Sequence, residues 1–194
     1  DTVYIEKGVL KDDGTYVFTA DSTTITPEKH LIAGGAYVPQ IGAAISGSDE
    51  NHNVTIDMNG NKLNVDTTTD THTTGIAAIG KGVVNINNAG AMSVSATSTR
   101  NGQTGALFVN AGGTINIHNA GADNVLTLRA NSTAPANAAV IKSMNGVGGV
   151  MSTITVDGLV DIVADKSNAS GANEAISAVA SKVEVGGGVI KAIN

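Results

Sequence analysis

The sequence predicts an all-β fold: a parallel β-solenoid of about five three-stranded coils behind an N-terminal cap. Three observations carry this reading. Short runs alternate aliphatic and polar residues with period two. In Thr114–Asn119, Ile115 and Ile117 alternate with Asn116 and His118; in Val125–Ala130, Leu126 and Leu128 alternate with Thr127 and Arg129. Each run therefore has one apolar and one polar face. The unit made by these runs and Gly105–Asn110 recurs along the chain, and one such unit cannot bury its apolar face without neighbours to stack on. Aromatic residues make up only 3%, and Cys and Trp are absent. Small and β-branched residues, Asn and Gly take their place, as narrow stacked strands require.

Residues 1–41 form the expected cap. Tyr4, Tyr16, Phe18 and Tyr37 lie there, and Phe108 is the single aromatic beyond it. Val3–Ile5 and Tyr16–Thr19 read as strands joined through a turn at Asp12-Asp13-Gly14. An open solenoid end needs an atypical covering segment, with an imperfect first coil expected near Thr23–Ala33.

Residues 42–194 read as coils. The middle strands are Asn53–Met58, Val83–Asn88, Thr114–Asn119, Ser152–Asp157 and Lys182–Val185. Their inward pairs are Val54/Ile56, Val84/Ile86, Ile115/Ile117, Ile154/Val156 and Val183/Val185. Tight turns follow at Asn59-Gly60, Asn88-Ala89-Gly90, Asn119-Ala120-Gly121, Asp157-Gly158 and Gly186-Gly187-Gly188, where Asn, Asp and Gly accept positive φ at low cost. Third strands carry the inward pairs Leu63/Val65, Met92/Val94, Leu126/Leu128, Val160/Ile162 and Ile190/Ala192. First strands are Ala43–Ser46, Gly75–Ile79, Gly105–Val109, Ala138–Lys142 and Ala175–Val179. Ser/Thr/Asn-rich connections of unequal length join the coils, and Ser143–Met151 is a Gly-rich insert. The chain opens at Asp1 without Met, as expected of a processed product or an excised segment, and it stops at Val189–Asn194 without a cap pattern, as expected of a piece cut from a longer solenoid.

The formal charge is −6 with 14% charged residues, so no basic footprint for nucleic acid exists. No apolar run reaches membrane-spanning length, and no signal peptide is visible.

GGTINIHNAG (residues 112–121), KGVVNINNAG (81–90) and NVTIDMNGNKL (53–63) resemble the coils of bacterial autotransporter passenger domains, over about residues 42–194. The resemblance implies a right-handed parallel β-helix, in keeping with the long coils. It also implies export through a C-terminal outer-membrane barrel, which this sequence lacks and which would be its only link to a membrane. Display on the bacterial cell surface and adhesion or self-association follow from it, with a host surface protein, a glycan or another copy of the chain as partner. The serine-protease motif of protease-bearing passengers is not present. The expected function is thus that of an adhesin passenger segment, with a carbohydrate-active β-helix enzyme or a non-binding stalk spacer as alternatives.

No catalytic residue, metal site or cofactor is assigned. Asp57 and Asp157 should share an outward row, but three coil steps put them roughly 15 Å apart, too far for a two-carboxylate glycosidase. Asp161 and Asp165, with Arg129 nearby, make no evident acid/base set. His30, His52, His72 and His118 show no ligand spacing; His52 and His72, with Asp49 and Glu50, are the nearest thing to a metal cluster. Gly146–Gly149 lacks the Asp of a calcium repeat, and Gly80-Lys81-Gly82 lacks the flanks of a phosphate loop. The sequon matches at Asn53, Asn131 and Asn168 arise from composition.

The candidate binding residues lie on outward rows. One row is Thr55, Asn85, Asn116, Thr155 and Glu184; a second is Asp57, Asn87, His118 and Asp157. Stacked polar side chains can hydrogen-bond as ladders. The first strands are apolar on both faces. With Ala77/Ile79, Leu107/Val109 and Ala139/Ile141 inward, Ile76, Phe108 and Val140 form an outward stripe, expected to lie under the chain's own loops. Phe108 is the candidate anchor should the stripe be open.

Overall fold

The computed structural model describes residues 7–27, 31–32, 43–70, 72–99, 104–119, 121, 123–132, 137–165 and 172–193. Tyr4, Tyr37, His30 and the strand expected at Val3–Ile5 lie outside them. All regular structure in the described residues is strand, and the strands wind into a parallel β-solenoid.

One side of the coil is a six-stranded sheet of β4 (Leu31–Ile32), β5 (Ala43–Gly47), β8 (Thr73–Ile79), β11 (Thr104–Asn110), β14 (Ala138–Ser143) and β16 (Asn173–Ala178). The middle side holds β2 (Thr15–Phe18), β6 (Val54–Asp57), β9 (Val83–Ala89) and β12 (Thr114–Asn119). The third holds β3 (Thr24–Ile25), β7 (Leu63–Thr69), β10 (Met92–Ser98) and β13 (Val125–Ser132). In the last two coils the middle and third strands run together through the corner as β15 (Thr153–Asp165) and β17 (Lys182–Ile193). These corners were expected to be tight turns. Positive φ at Gly158 (126°) and Gly187 (144°) bends the strand there without ending it.

Winding from β5 to β16 makes about four turns, slightly fewer than the five coils expected. The N-terminal boundary also differs from the expected cap. Thr15–Val17 pair in parallel with Thr55–Asp57, and Thr24–Ile25 with Asn64–Val65. The stack therefore already includes β2 and β3. Among the described strands only β1 (Gly8–Leu10) runs antiparallel, along the outer edge of β2. Tyr16 and Phe18 are buried and meet edge to face, ring centroids 4.9 Å apart. They fill the end of the core with two rings where later coils use aliphatics.

The middle and third sides follow the sequence pattern. Ile56, Ile86, Ile117 and Val156 stand in one buried row, and Val54, Val84, Ile115 and Ile154 in the next. On the third side Leu63, Met92, Leu126 and Val160 align, as do Val65, Val94, Leu128 and Ile162. In β17 the inward pair is displaced by one dipeptide: Ile190 pairs with Ile162 and Ala192 with Ala164, while Gly188 stands opposite Val160.

The first side corrects the expected stripe. Ile76 pairs with Leu107, which pairs with Ile141; Phe108 lies between Ala77 and Lys142. Ile76, Phe108 and Val140 are therefore in three different rows. Ile76 and Val140 belong to the buried core, and Ile76 and Ala78, not Ala77 and Ile79, continue the line of Leu107 and Val109. A strand apolar on both faces gives no alternation to fix its register, and a one-residue slip exchanges the faces.

At the corner between first and middle sides, backbones of successive coils pass very close. A Cβ on Gly113 would fall 2.0 Å from the Ala78 carbonyl oxygen, and one on Gly82 would fall 2.5 Å from that of Gly47. The insert after β14 forms a small hairpin at the same corner, closed by Val147 and Val150 with Gly148 and Gly149 in the turn. At the other end, β17 pairs with β15 and, among the described residues, has no partner on its far edge. Val189, Ile190 and Ile193 are each nearly half exposed there. Such an edge offers unpaired donors and acceptors to another strand.

Candidate functional site

The middle side presents the most regular outward surface. Thr15, Thr55, Asn85, Asn116, Thr155 and Glu184 follow one another in unbroken parallel register. Strict alternation on β6, β9, β12 and β15 puts the isoleucines and valines beneath them and leaves Thr55, Asn85, Asn116 and Thr155 half-buried at the surface, with Glu184 exposed. Asn116 Nδ2 donates to Asn85 Oδ1 at 2.9 Å, a one-rung amide ladder running along the solenoid axis. Each amide keeps unused donor and acceptor capacity facing water.

The second row is broken. Asp57 pairs with Asn87, and His118 with Asp157, but β9 carries one extra residue between these pairs, so that Asn119 aligns with Ala89. Asn88 takes a left-handed φ of 51° at this irregularity and donates from Nδ2 to Asp57 Oδ1 at 3.0 Å. The expected line Asp57, Asn87, His118, Asp157 is thus two short pairs. His118 Nδ1 lies 3.6 Å from Asp157 Oδ2, both well exposed.

Other ionisable groups pair locally. Asp49 Oδ2 and His52 Nδ1 are 2.6 Å apart, and this hydrogen bond, with a second from the Asn51 N–H, holds the Asp49 carboxyl below the usual carboxylate range. Lys81 Nζ lies 3.3 Å from Glu50. Among the described residues no group of three His, Cys, Asp or Glu side chains is placed to hold a metal ion.

On the third side Arg129 and Asp161, expected to be near one another without forming an acid/base set, are joined directly. Arg129 donates to the Asp161 carbonyl at 2.8 Å and to its carboxylate at 2.9 Å, while Ser95 donates to Asp66 at 2.9 Å. Arg129 aligns with Val163 and Asp161 with Thr127, so the pair is diagonal across two coils. Period-two alternation assigns rows and not diagonals, so the contact itself depends on the register between β13 and β15.

Phe108 is half-buried on the outer face of the first side, beside Lys142. Burial pushes the Lys142 ammonium below its ordinary pKa, partly offset by Glu174. Phe108 and Lys142 are both half-buried and paired, so this face is neither an open nor a purely apolar stripe. Phe108→Ser is accordingly expected to lower stability by about 1–2 kcal/mol. A thermal melt checks this; an unchanged melting temperature together with weakened binding would make Phe108 an interface anchor instead. The hairpin insert forms a recess of about 250 Å³ with Ala180, lined by no ionisable group.

No family model matches this chain, and no curated protein and no solved structure matches it.

Proposed function

We propose that this chain is a surface-exposed bacterial adhesin passenger segment that binds through the outward face of its middle strands. The observation that carries the proposal is the unbroken row Thr55, Asn85, Asn116, Thr155, with its Asn116–Asn85 amide rung. Such a row repeats hydroxyl and amide groups at about 4.8 Å along a rigid support. A repetitive partner can engage several rungs at once, so that individually weak polar contacts add through multivalency. Host glycans, host surface proteins and a second copy of the chain are the candidate partners. The likeness of the coils to autotransporter passengers supplies the expectation of cell-surface display.

The test is a binding and bead-aggregation assay with the chain, run against glycans, matrix proteins and itself. The double variant Asn85→Ala/Asn116→Ala removes the central rungs. It is expected to weaken binding by about tenfold or more, the equivalent of roughly 1.4 kcal/mol. Stability should change by less than about 1 kcal/mol, because both partners of the rung are removed together. A stalk spacer would show no binding in either form, and equal binding by both forms would move the site off this face.

A further inference from the structure

The Asn145–Gly146 peptide, at the base of the hairpin insert, combines features of a spontaneously rearranging bond. We infer that it is a self-modification site, at which Asn145 converts through a cyclic imide to aspartate and isoaspartate. In the first step the Gly146 backbone nitrogen attacks the Asn145 side-chain carbonyl carbon. A C–N bond forms, the amide proton passes to solvent base, the bond to Nδ2 breaks and ammonia leaves. Water then opens the five-membered imide at either carbonyl. One opening gives Asp; the other gives isoaspartate, whose main chain runs through the former side chain. Amide plus water become acid plus ammonia, with no oxidant or reductant involved.

Three observations single out this bond. Gly146 has no side chain to shield its nitrogen, and both residues are exposed. The Gly146 N–H donates no hydrogen bond among the described residues. The Asn145 carbonyl of the same peptide accepts from Ser152 Oγ at 2.8 Å. A hydrogen bond to a carbonyl withdraws electron density from its peptide, favours the deprotonated nitrogen and so favours attack.

The chain carries its own control. Asn59–Gly60 has the same two residues, but there the Gly60 N–H donates to the Asn88 carbonyl at 2.7 Å, and the Asn59 N–H to Asp57 Oδ1 at 2.8 Å. Attack at Asn59 must first break the coil-to-coil bond that holds Gly60. A third such pair, Asn101–Gly102, lies outside the described residues.

The product would alter more than one charge. Ser152 Oγ, besides donating to Asn145, accepts from the Gly112 N–H at 2.9 Å, which ties the hairpin to the preceding coil. Isoaspartate adds a backbone atom at the carbonyl Ser152 grips and places a carboxylate in the insert. A long-lived copy would thus carry a hairpin different from that of a new one.

The test is incubation of the whole chain at mildly alkaline pH, followed by peptide mapping by mass spectrometry. The mapping scores the amide-to-acid mass increase and the isoaspartate-specific cleavage pattern at each Asn. In the native chain Asn145 is expected to convert about tenfold faster than Asn59, the rate equivalent of one hydrogen bond. In denaturant the two rates should become equal, because the Gly60 bond is lost. Asn145→Gln should abolish the signal from that peptide and leave Asn59 unchanged. Equal native rates at Asn145 and Asn59, or a ratio that survives denaturation, would overturn the assignment.

Discussion

Ile117→Asp should destabilise the fold by several kcal/mol, enough to unfold much of the chain at ordinary temperature. Ile117 is fully buried between Ile86 of the preceding coil and Val156 of the next. A carboxylate there meets only aliphatic neighbours, and an unpaired buried charge is among the costliest single changes a core can take. Asn116→Asp, one residue away and at the surface, should cost less than about 1 kcal/mol. Circular dichroism melts of the two variants measure the contrast. Equal losses would mean that the two faces of β12 are not distinguished as described.

The second large effect is expected from Gly113→Ala, at about 3 kcal/mol or more. The added methyl would lie 2.0 Å from the Ala78 oxygen and 2.4 Å from its carbonyl carbon. Both are backbone atoms of the neighbouring coil, so no side-chain rotation relieves the clash. The strands must move apart, and their parallel hydrogen bonds lengthen. Gly149→Ala is the matched control. It has φ of 79° but open space around the added carbon, so its cost should stop at the conformational penalty of about 1–2 kcal/mol. Denaturant titration of both proteins separates the terms. A Gly113 variant no weaker than the Gly149 variant would show that the corner can open without cost.

Legibility in the sequence followed the chemistry of each side. The middle side was readable because each strand alternates strictly: Val54, Ile56, Val84, Ile86, Ile115 and Ile117 point one way and the Thr/Asn residues the other. The first side was not, because Ile76, Ala77 and Ala78 are all apolar and all buried. Only pairing fixes which of them faces which neighbour, and the spacing between partners changes from 31 residues (Ile76 to Leu107) to 34 (Leu107 to Ile141). The candidate row Thr55, Asn85, Asn116, Thr155 survived intact because no insertion falls between its coils within the strands. The row through Asn87 and His118 did not, because Asn88 fits a strand or a left-handed kink equally well. Phe108 stood out as the single aromatic beyond the cap, but its neighbours are Ala77 and Lys142, which no period-two reading could supply.

The parallel hydrogen bonds between coils lie along the long axis of the molecule. A load applied between the two ends therefore pulls on them nearly in line and engages one coil boundary at a time, rather than shearing many bonds together. Each boundary that yields frees the chain between equivalent strands, such as the 31 residues from Ile76 to Leu107, or about 100 Å of extended polypeptide. The solenoid is built as a reel: stiff while wound, and able under sustained tension to pay out length in repeated steps while the coils still stacked keep their shape.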